Sequence, residues 1–380
     1  MASQSGEKLR PLAAPFVVAA PSGVRTRTRL HVTDDEAATL GRVGDHLGRV
    51  YRQSLADRIA AGRLSGEDVK RWRAQTKRAV TAQSSSRWAG ALTRAVNDQY
   101  RLGMRGLAAN VADLRRAITV LDRRLAVTPG TTTNSNRMRV RGYRTHQERH
   151  AKSRRRAQLA ARLSEAEARL DQGRPRLVVG GRRLWRNRQH LSQTGWSKDQ
   201  WRQRWDAARW FCTADGETGK RHGNETIRVT PAGQVTIKIP APLAAEFGDR
   251  ITIAAPVTFT THHGDEWADR IATDRAIRYD IWYDPERDRW YLDASWSYPP
   301  VEPPSLSALR ATRTLGIDLN AGFVTAWVID PDGNPTGPPH TVAMDLAGLP
   351  APTRDARIRD AVTTLCLLYT SDAADERSSV

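Results

Sequence analysis

The fold class is decided by the stretch Thr314-Leu-Gly-Ile-Asp-Leu-Asn-Ala-Gly322, in which apolar residues surround one aspartate. A second apolar run follows at residues 323–329, and the turn sequence Pro331-Asp-Gly-Asn334 comes next. Apolar runs of this length between turn residues predict a buried strand, a tight turn, a second strand and a second turn. A buried carboxylate is unfavourable unless it pairs with a cation or with hydrogen-bond donors, so Asp318 is the first candidate functional residue. We interpret Asp330, which begins the second turn, as structural.

A proline-rich segment separates this strand pair from the residues before it. Four prolines fall between positions 299 and 304, and segments of this composition behave as stiff spacers. We therefore predict a linker over residues 299–312 and a separate domain over residues 313–365.

The region before the linker carries β-strand patterns. Residues 277–283 and 290–298 alternate along most of their length around the turn Asp284-Pro-Glu-Arg-Asp288, which predicts a hairpin. Several short strands at this spacing favour a small β-barrel or sandwich, which we assign to residues 173–298. The other predicted strands lie at residues 227–229, 235–239, 251–253 and 257–259.

The N-terminal part combines one strand with a long helical region. Residues 25–33 are predicted to form a strand, because arginine occupies every second position at its start. Thr33 and Glu36 fit the capping box that opens a helix, and helical spacing of apolar residues predicts a helical lobe over residues 34–172. Residues 1–24 are predicted to be a disordered tail. Helices are predicted from Thr33 to about Gly62, from Ser65, and from about Arg87 to Val127, the last divided near Gly103 and Gly106.

The charge of the chain is strongly asymmetric. Its 380 residues include 60 Lys and Arg against 41 Asp and Glu, a net charge of +19. Residues 1–210 hold 44 basic and 17 acidic side chains, whereas residues 211–380 hold 16 and 24. This asymmetry predicts that the N-terminal half binds nucleic acid and not a small-molecule substrate. Two cysteines exclude a disulfide scaffold and a four-cysteine zinc site within this chain, and no apolar run reaches the roughly 18 residues of a membrane span, so no membrane partner is expected.

Basic residues concentrate in three places that we predict to contact nucleic acid. Nine basic side chains and one acid occur between residues 137 and 156, and arginines also flank Trp185, a candidate for stacking on an unpaired base. His146 and His150 have no third metal ligand nearby, so we interpret them as polar surface. The predicted contacts are Arg25, Arg27, Arg29, Arg139, Arg141, Arg144, Arg149, Lys152, Arg154, Arg155, Arg182, Arg183, Trp185, Arg186 and Arg188.

These features together resemble one family. The motif Leu315-Gly-Ile-Asp-Leu-Asn320, preceded by a strand hairpin and an arginine-rich helical region, is similar to the first RuvC motif of the insertion-sequence TnpB proteins. Those proteins are OrfB-like nucleases related to the type V CRISPR effectors. The resemblance covers residues 25–365 and includes the segments 25–32, 177–185 and 277–298, although only the RuvC strand is a sharp motif.

The resemblance implies an α+β multidomain fold, in which a wedge-like β-barrel with an inserted helical recognition lobe precedes the first strands of a ribonuclease H-like (RuvC) domain. In this fold residues 25–33 would be the first strand of the barrel, and residues 173–298 would supply the rest of it. It implies RNA-guided DNA cleavage, in which two Mg²⁺ ions stabilise the attacking water and the leaving oxygen. Asp318 would be the catalytic residue and the first metal ligand. The implied partners are a guide RNA from the transposable element and target DNA, and the implied location is the prokaryotic cytoplasm, at the nucleoid.

The chain also departs from the family pattern. RuvC-type sites need a Glu and a second Asp from later strands, and the family's four-cysteine zinc finger lies further on. We expect the chain to end before both, which leaves the Mg²⁺ site incomplete and places zinc only in the missing C-terminal part. Residues 366–380 resemble a translated sequencing-library adapter, and we interpret them as an adapter-derived tail. On this interpretation the chain is a fragment that should not cleave DNA alone.

Two alternatives remain open. The sequence Gly-Ile-Asp-Leu before a turn also resembles the first phosphate-binding motif of actin-like ATPases and sugar kinases, although those proteins usually continue with a Gly-Thr or Gly-Gly turn. The other alternative is a non-catalytic nucleic-acid-binding derivative of a TnpB nuclease. In a full-length sequence, Glu and Asp ligands on later strands would indicate the nuclease. A glycine-rich adenosine loop would indicate the ATPase, and replacement of a later carboxylate would indicate the non-catalytic derivative.

Overall fold

Residues 22–135, 138–260 and 262–375 are described by a computed structural model of the chain. They form two units, which we call the first unit (residues 23–297) and the second unit (residue 22 with residues 298–375). Most of the predicted N-terminal tail and the last five residues of the predicted adapter-derived tail lie outside the described residues. Every helix in the described ranges is too short or too polar to span a membrane.

The described part of the first unit contains nine α-helices and nine strands. The helices are α1 (Asp34–Ala60), α2 (Gly66–Thr81), α3 (Ser86–Leu125), α4 (His146–Gln172), α5 (Arg182–Asn187), α6 (Leu191–Thr194), α7 (Lys198–Ala207), α8 (Ala244–Phe247) and α9 (Gly264–Ala272). The strands are β1 (Gly23–Leu30), β2 (Thr132–Ser135), β3 (Met138–Arg141), β4 (Thr213–Ala214), β5 (Ile227–Val229), β6 (Val235–Lys238), β7 (Arg250–Thr252), β8 (Arg278–Asp284) and β9 (Arg289–Ser297).

The strands of the first unit form three small antiparallel sheets. Their strand orders are β1-β9-β8-β4, β5-β6-β7 and β2-β3. Among the described residues none of these sheets closes into a barrel, so the wedge-like barrel stays a prediction. In the largest sheet Gly23 lies opposite Ser297 and Leu30 lies opposite Trp290. The first and last strands of the unit are therefore neighbours, and every helix of the unit lies between them in sequence.

Local sequence signals locate several of these elements correctly. The capping box at α1 is present, with the Thr33 amide donating to the Glu36 carboxylate at 2.8 Å and the Glu36 amide donating to the Thr33 hydroxyl at 3.3 Å. The predicted hairpin is formed by β8 and β9. The strand predicted at residues 257–259 is not formed. The Val257 amide donates to the Gly233 carbonyl, but Val257 and Phe259 fill the core from an irregular segment and no ladder continues from that bond.

The third helix is unbroken, contrary to the predicted division near Gly103 and Gly106. α3 runs through both glycines over 40 residues. Its apolar positions keep one register on both sides of the glycines. Residues after the glycines pack against Leu159 and Ala166 of α4, and this burial offsets the roughly 1 kcal/mol that each interior glycine costs a helix. The packed α3 residues are Leu107, Val111, Leu114 and Ile118.

The two glycines are expected to respond differently to substitution by alanine. A Cβ at Gly106 would meet no atom within 4 Å, so Gly106→Ala should raise the free energy of unfolding by about 0.5–1 kcal/mol. A Cβ at Gly103 would lie 2.6 Å from Cδ2 of Leu177, so Gly103→Ala should gain nothing or lose stability. Urea unfolding followed by tryptophan fluorescence would compare them, because eleven of the twelve tryptophans lie in the first unit. Equal gains at both positions would contradict the tight contact with Leu177.

The second unit is a three-stranded antiparallel sheet covered by one long helix. Its elements are α10 (Leu306–Arg310), β10 (Thr314–Leu319), β11 (Gly322–Ile329), β12 (Pro335–Met344) and α11 (Ala351–Asp375), with the strand order β10-β11-β12. The core is formed by Ala361 and Leu365 of α11 against Val324, Ala326 and Met344. α10 lies inside the segment predicted to be a linker, and α11 continues past residue 365 into the predicted adapter-derived tail.

Candidate nucleic-acid interface and the environment of Asp318

The densest basic stretch, residues 137–156, begins in the hairpin that connects α3 with α4 and continues into α4. The amide of Gly130 donates to the Tyr143 carbonyl and the amide of Gly142 donates to the Thr131 carbonyl, which closes the β2-β3 hairpin at its base. Tyr143 is almost fully buried, and the Arg124 guanidinium lies 4.3 Å from the centre of its ring. The hairpin and the first turns of α4 therefore project from a fixed base.

Six of the seven predicted contacts in this stretch have neither an ion pair nor a side-chain hydrogen bond with any described residue, and we call them the basic segment. Five are exposed and the Lys152 side chain is half-buried. The one acid between residues 137 and 156, Glu148, lies at the start of α4 and accepts a hydrogen bond from the Arg144 amide. The charge of the segment is consequently not compensated locally. Its members are Arg139, Arg141, Arg144, Lys152, Arg154 and Arg155.

Arg149 differs from its neighbours because it joins two helices. Its guanidinium donates two hydrogen bonds, at 3.0 and 3.2 Å, to the carbonyl of Leu125, the last residue of α3. Arg156 makes a comparable link through an ion pair with Asp122 at 2.9 Å. Carbonyls at the end of a helix lack partners within the helix, so Arg149 caps α3. The predicted nucleic-acid role of Arg149 thus competes with a structural one.

A second basic surface is a groove of about 880 Å³ between α3, α4 and α5, which we call the arginine groove. The glycines of α3 line it, together with Leu102. Five arginines and one acid, Glu165, also line it. Sequence reasoning found Arg182, Trp185 and Arg186 but not the arginines of α4 and of the segment after it. The i, i+7 spacing of Arg162 and Arg169, which places both on one face of α4, is the sequence pattern that could have indicated them. The groove arginines are Arg162, Arg169, Arg176, Arg182 and Arg186.

α5 is positioned by glycines before it and by α7 behind it. Gly180 and Gly181 have φ values of +92° and +90°, which side-chain-bearing residues rarely adopt, and they turn the chain into α5. The indole N–H of Trp201 in α7 donates to the Leu184 carbonyl at 2.8 Å. Trp201 also stacks on Trp205 with ring centres 5.6 Å apart. These contacts hold α5 without using Trp185.

The spacing within α5 divides the arginines predicted there. Arg182, Trp185 and Arg186 are separated by three and four positions, so they share one face and line the groove. Arg183 is exposed but does not line the groove. The Arg188 guanidinium lies 5.8 Å from the centre of the Trp201 ring.

The three arginines predicted on β1 do not behave alike. Arg27 forms two hydrogen bonds with the Asp293 carboxylate, at 2.7 and 3.0 Å, and these raise the pKa of Arg27 above its ordinary value. Arg25 pairs with Asp293 at 2.9 Å and with Asp280 at 3.2 Å. The Asp293 side chain is 0% exposed, so Arg25 and Arg27 neutralise a buried carboxylate. Arg29 is exposed and has no ion pair with a described residue.

Asp318 lies in an exposed part of its strand, contrary to the predicted buried strand. Its neighbours Ile317 and Leu319 are 56% and 69% exposed, and Asp318 is exposed as well. β10 pairs only with β11 among the described residues, so its other edge is not covered by a strand. The Asn320 side-chain amide donates to Oδ2 of Asp318 at 3.0 Å. The desolvation argument for Asp318 therefore fails, and its functional assignment rests on the motif.

The described residues supply only part of the ligand set that the implied Mg²⁺ ions need. Asp318 supplies one carboxylate, and the described residues contain no group of three or more His, Cys, Asp or Glu that could hold a metal ion. These residues do not make a Mg²⁺ site by themselves. For zinc, burial raises the pKa of the Cys212 thiol to about 12, which disfavours the thiolate that a metal needs. Cys366, the other cysteine, belongs to the second unit.

Neither a protein-family model nor a curated protein matches this chain.

Proposed function

We propose that the first unit binds nucleic acid through the basic segment, and that the chain is the nucleic-acid-binding part of an RNA-guided DNA endonuclease of the TnpB type. The observation that carries the proposal is the uncompensated charge of the basic segment. Six cationic side chains are displayed within a short stretch of chain, and the one acid there is engaged at the start of α4. Each phosphate that such side chains neutralise releases condensed counterions, which favours binding.

A solvated helix face is the main competing interpretation of these charges. Solvated faces usually intersperse both signs, and i, i+3 or i, i+4 pairs then offset the repulsion. α2 follows that pattern, with Lys70 paired to Glu67 and Arg71 paired to Asp68. The basic segment has no such pairs among the described residues, and like charges left close together favour an anionic partner.

Topology supports the TnpB part of the proposal. The resemblance implies a first strand, an inserted helical lobe and then the remaining strands of one β-structure. The pairing of β1 with β9, and the position of α1–α4 between them in sequence, agree with that order. In this proposal guide RNA and target DNA are the partners, Asp318 is one ligand of Mg²⁺, and the place of action is the prokaryotic cytoplasm. A non-catalytic derivative would share the binding part and lack cleavage.

Binding and cleavage can be tested with one substitution, Asp318→Ala, made both in this chain and in an extended version of it. We expect the chain to bind a fluorescein-labelled RNA hairpin more tightly than a DNA duplex of equal length in fluorescence anisotropy. Asp318→Ala should bind the hairpin as the wild type does, because Asp318 lies in the second unit, outside the basic segment. The same substitution in a version extended with the later RuvC carboxylates should abolish guided DNA cleavage.

Two results would contradict the proposal. A chain that binds neither hairpin nor duplex at 50 mM salt would exclude the nucleic-acid function. Cleavage at the wild-type rate by the extended Asp318→Ala protein would remove Asp318 from the catalytic site. An extended protein that retains binding but never cleaves would favour the non-catalytic derivative.

A further inference from the structure

We propose that the arginine groove binds a single-stranded stretch of nucleic acid, with one unpaired base stacked on Trp185 and neighbouring phosphates on Arg162, Arg182 and Arg186. This inference rests on the proposed nucleic-acid function and specifies the form of nucleic acid that one site would take. The base must be unpaired, because a base within a duplex already has both faces covered by its neighbours.

Trp185 presents a large ring that the fold covers only in part. Its side chain is 52% exposed, and no aromatic ring or guanidinium among the described residues stacks on it. Trp201, by contrast, is 8% exposed and fixes α5 through its indole N–H. A half-exposed tryptophan beside cationic side chains can serve as a platform for an unpaired base, since every base offers an aromatic face.

The charges of the groove select an anionic ligand. Glu165, the one acid lining it, is already paired with Arg176 at 2.5 Å. Arg182 donates to the Arg176 carbonyl at 2.7 Å, which orients its guanidinium and leaves further N–H groups available. Arg162 and Arg186 have no ion pair with a described residue. The groove therefore keeps an excess of positive charge on both of its walls.

The α3 side of the groove leaves room for the ligand. Gly106 lines the groove, and a Cβ there would meet nothing within 4 Å. The volume of about 880 Å³ lies at the upper end of the roughly 300–1,000 Å³ typical of small-molecule pockets. A short stretch of nucleotides fits this combination of volume, positive charge and one stacking surface better than an acidic peptide, which has no base to place on the indole.

The first test compares Trp185 variants on short probes. The probes are fluorescein-labelled 12-nucleotide oligouridylate and oligothymidylate, an abasic strand of the same length, and a 12-base-pair RNA duplex. Trp185→Ala should weaken binding of both single strands about 5- to 100-fold, and Trp185→Phe should stay within about threefold of wild type, because a phenyl ring still stacks. Affinity for the abasic strand and the duplex should not change. The single strand with the larger Trp185 effect identifies RNA or DNA as the natural ligand.

A second pair of variants tests the groove independently of Trp185. Gly106→Phe should occupy part of the arginine groove and weaken single-strand binding at least about tenfold. Gly106→Ala adds one methyl group and should bind single strands as the wild type does. Arg186→Gln should also weaken single-strand binding, and Arg202→Gln is its control for loss of one charge, because Arg202 is an exposed arginine of α7 that does not line the groove. Thermal melting of each variant separates loss of binding from loss of folding.

The outcomes separate this inference from the proposed function. If Trp185→Ala and Gly106→Phe bind single strands as tightly as wild type while the RNA hairpin still binds, the groove assignment is wrong and the proposed function stands. If no nucleic acid binds, both fail. If polyglutamate displaces the probes equally from wild type and Trp185→Ala, the groove is a general anion site and the inference is also wrong.

Discussion

Replacing the six residues of the basic segment with glutamine is expected to remove most of the salt dependence of RNA binding. Each phosphate contact contributes about 0.7–0.9 to the slope of log K against log salt concentration. Six contacts therefore correspond to a slope of about four to five, and the wild-type chain should lose about 10³ in affinity between 50 and 200 mM salt. The variant should show a slope smaller by that amount. Anisotropy titrations of an RNA hairpin at four salt concentrations would measure it.

The matched control lies on another helix of the same unit. α2 carries five exposed basic residues, and two of them, Lys70 and Arg71, pair with acids on the same helix. A glutamine variant at the five positions changes the net charge almost equally. It should keep most of the salt slope. An equal loss in the two variants would mean that total charge, and not the basic segment, drives binding. The control positions are Lys70, Arg71, Arg73, Lys77 and Arg78.

The double variant Arg25→Met/Arg27→Met is expected to lose about 3–5 kcal/mol in the free energy of unfolding. Both substitutions remove a cation from Asp293, whose side chain is 0% exposed. A fully buried carboxylate without its cation bears the whole desolvation penalty. The single variants should lose less than half of this value each, because the remaining arginine still pairs with Asp293. Urea unfolding followed by tryptophan fluorescence reports on the first unit.

Two further variants make this expectation specific. Arg29→Met is the control, because Arg29 is exposed on the same strand and has no ion pair with a described residue. The triple variant Arg25→Met/Arg27→Met/Asp293→Leu should recover about 2 kcal/mol or more, since it removes the unpaired charge itself. A loss below about 1 kcal/mol in the double variant would mean that these pairs act as ordinary surface salt bridges.

Local signals made much of the fold predictable. The capping box at Thr33 and Glu36 and the β8-β9 hairpin depend on residues close in sequence, and both are formed. The division of α3 at its glycines was wrong, because the packing of α3 on α4 outweighs the local preference of glycine. The strand at 257–259 was wrong for a related reason: apolar alternation reports burial, which an irregular segment also achieves.

The parts of the candidate sites that depend on tertiary contacts could not be predicted from the sequence. Counting arginines located the basic segment, but it could not show that Arg25 and Arg27 face a buried carboxylate more than 250 residues away. The arginine groove depends on how α3, α4 and α5 pack, so only its α5 side was found. Asp318 was singled out because its neighbours are apolar, yet those neighbours are exposed at the uncovered edge of β10.

The pairing of β1 with β9 determines how late during synthesis the largest sheet of the first unit can be completed. The packing of α3 on α4 joins residues that are close in sequence, so it can form while the ribosome is still adding the later strands. β1 leaves the ribosome first but has no partner until residues 289–297 follow it. Until then its hydrogen-bonding edge stays open and Arg25 and Arg27 stay without Asp293. A nascent chain halted before residue 289 would therefore expose an unpaired strand to other chains.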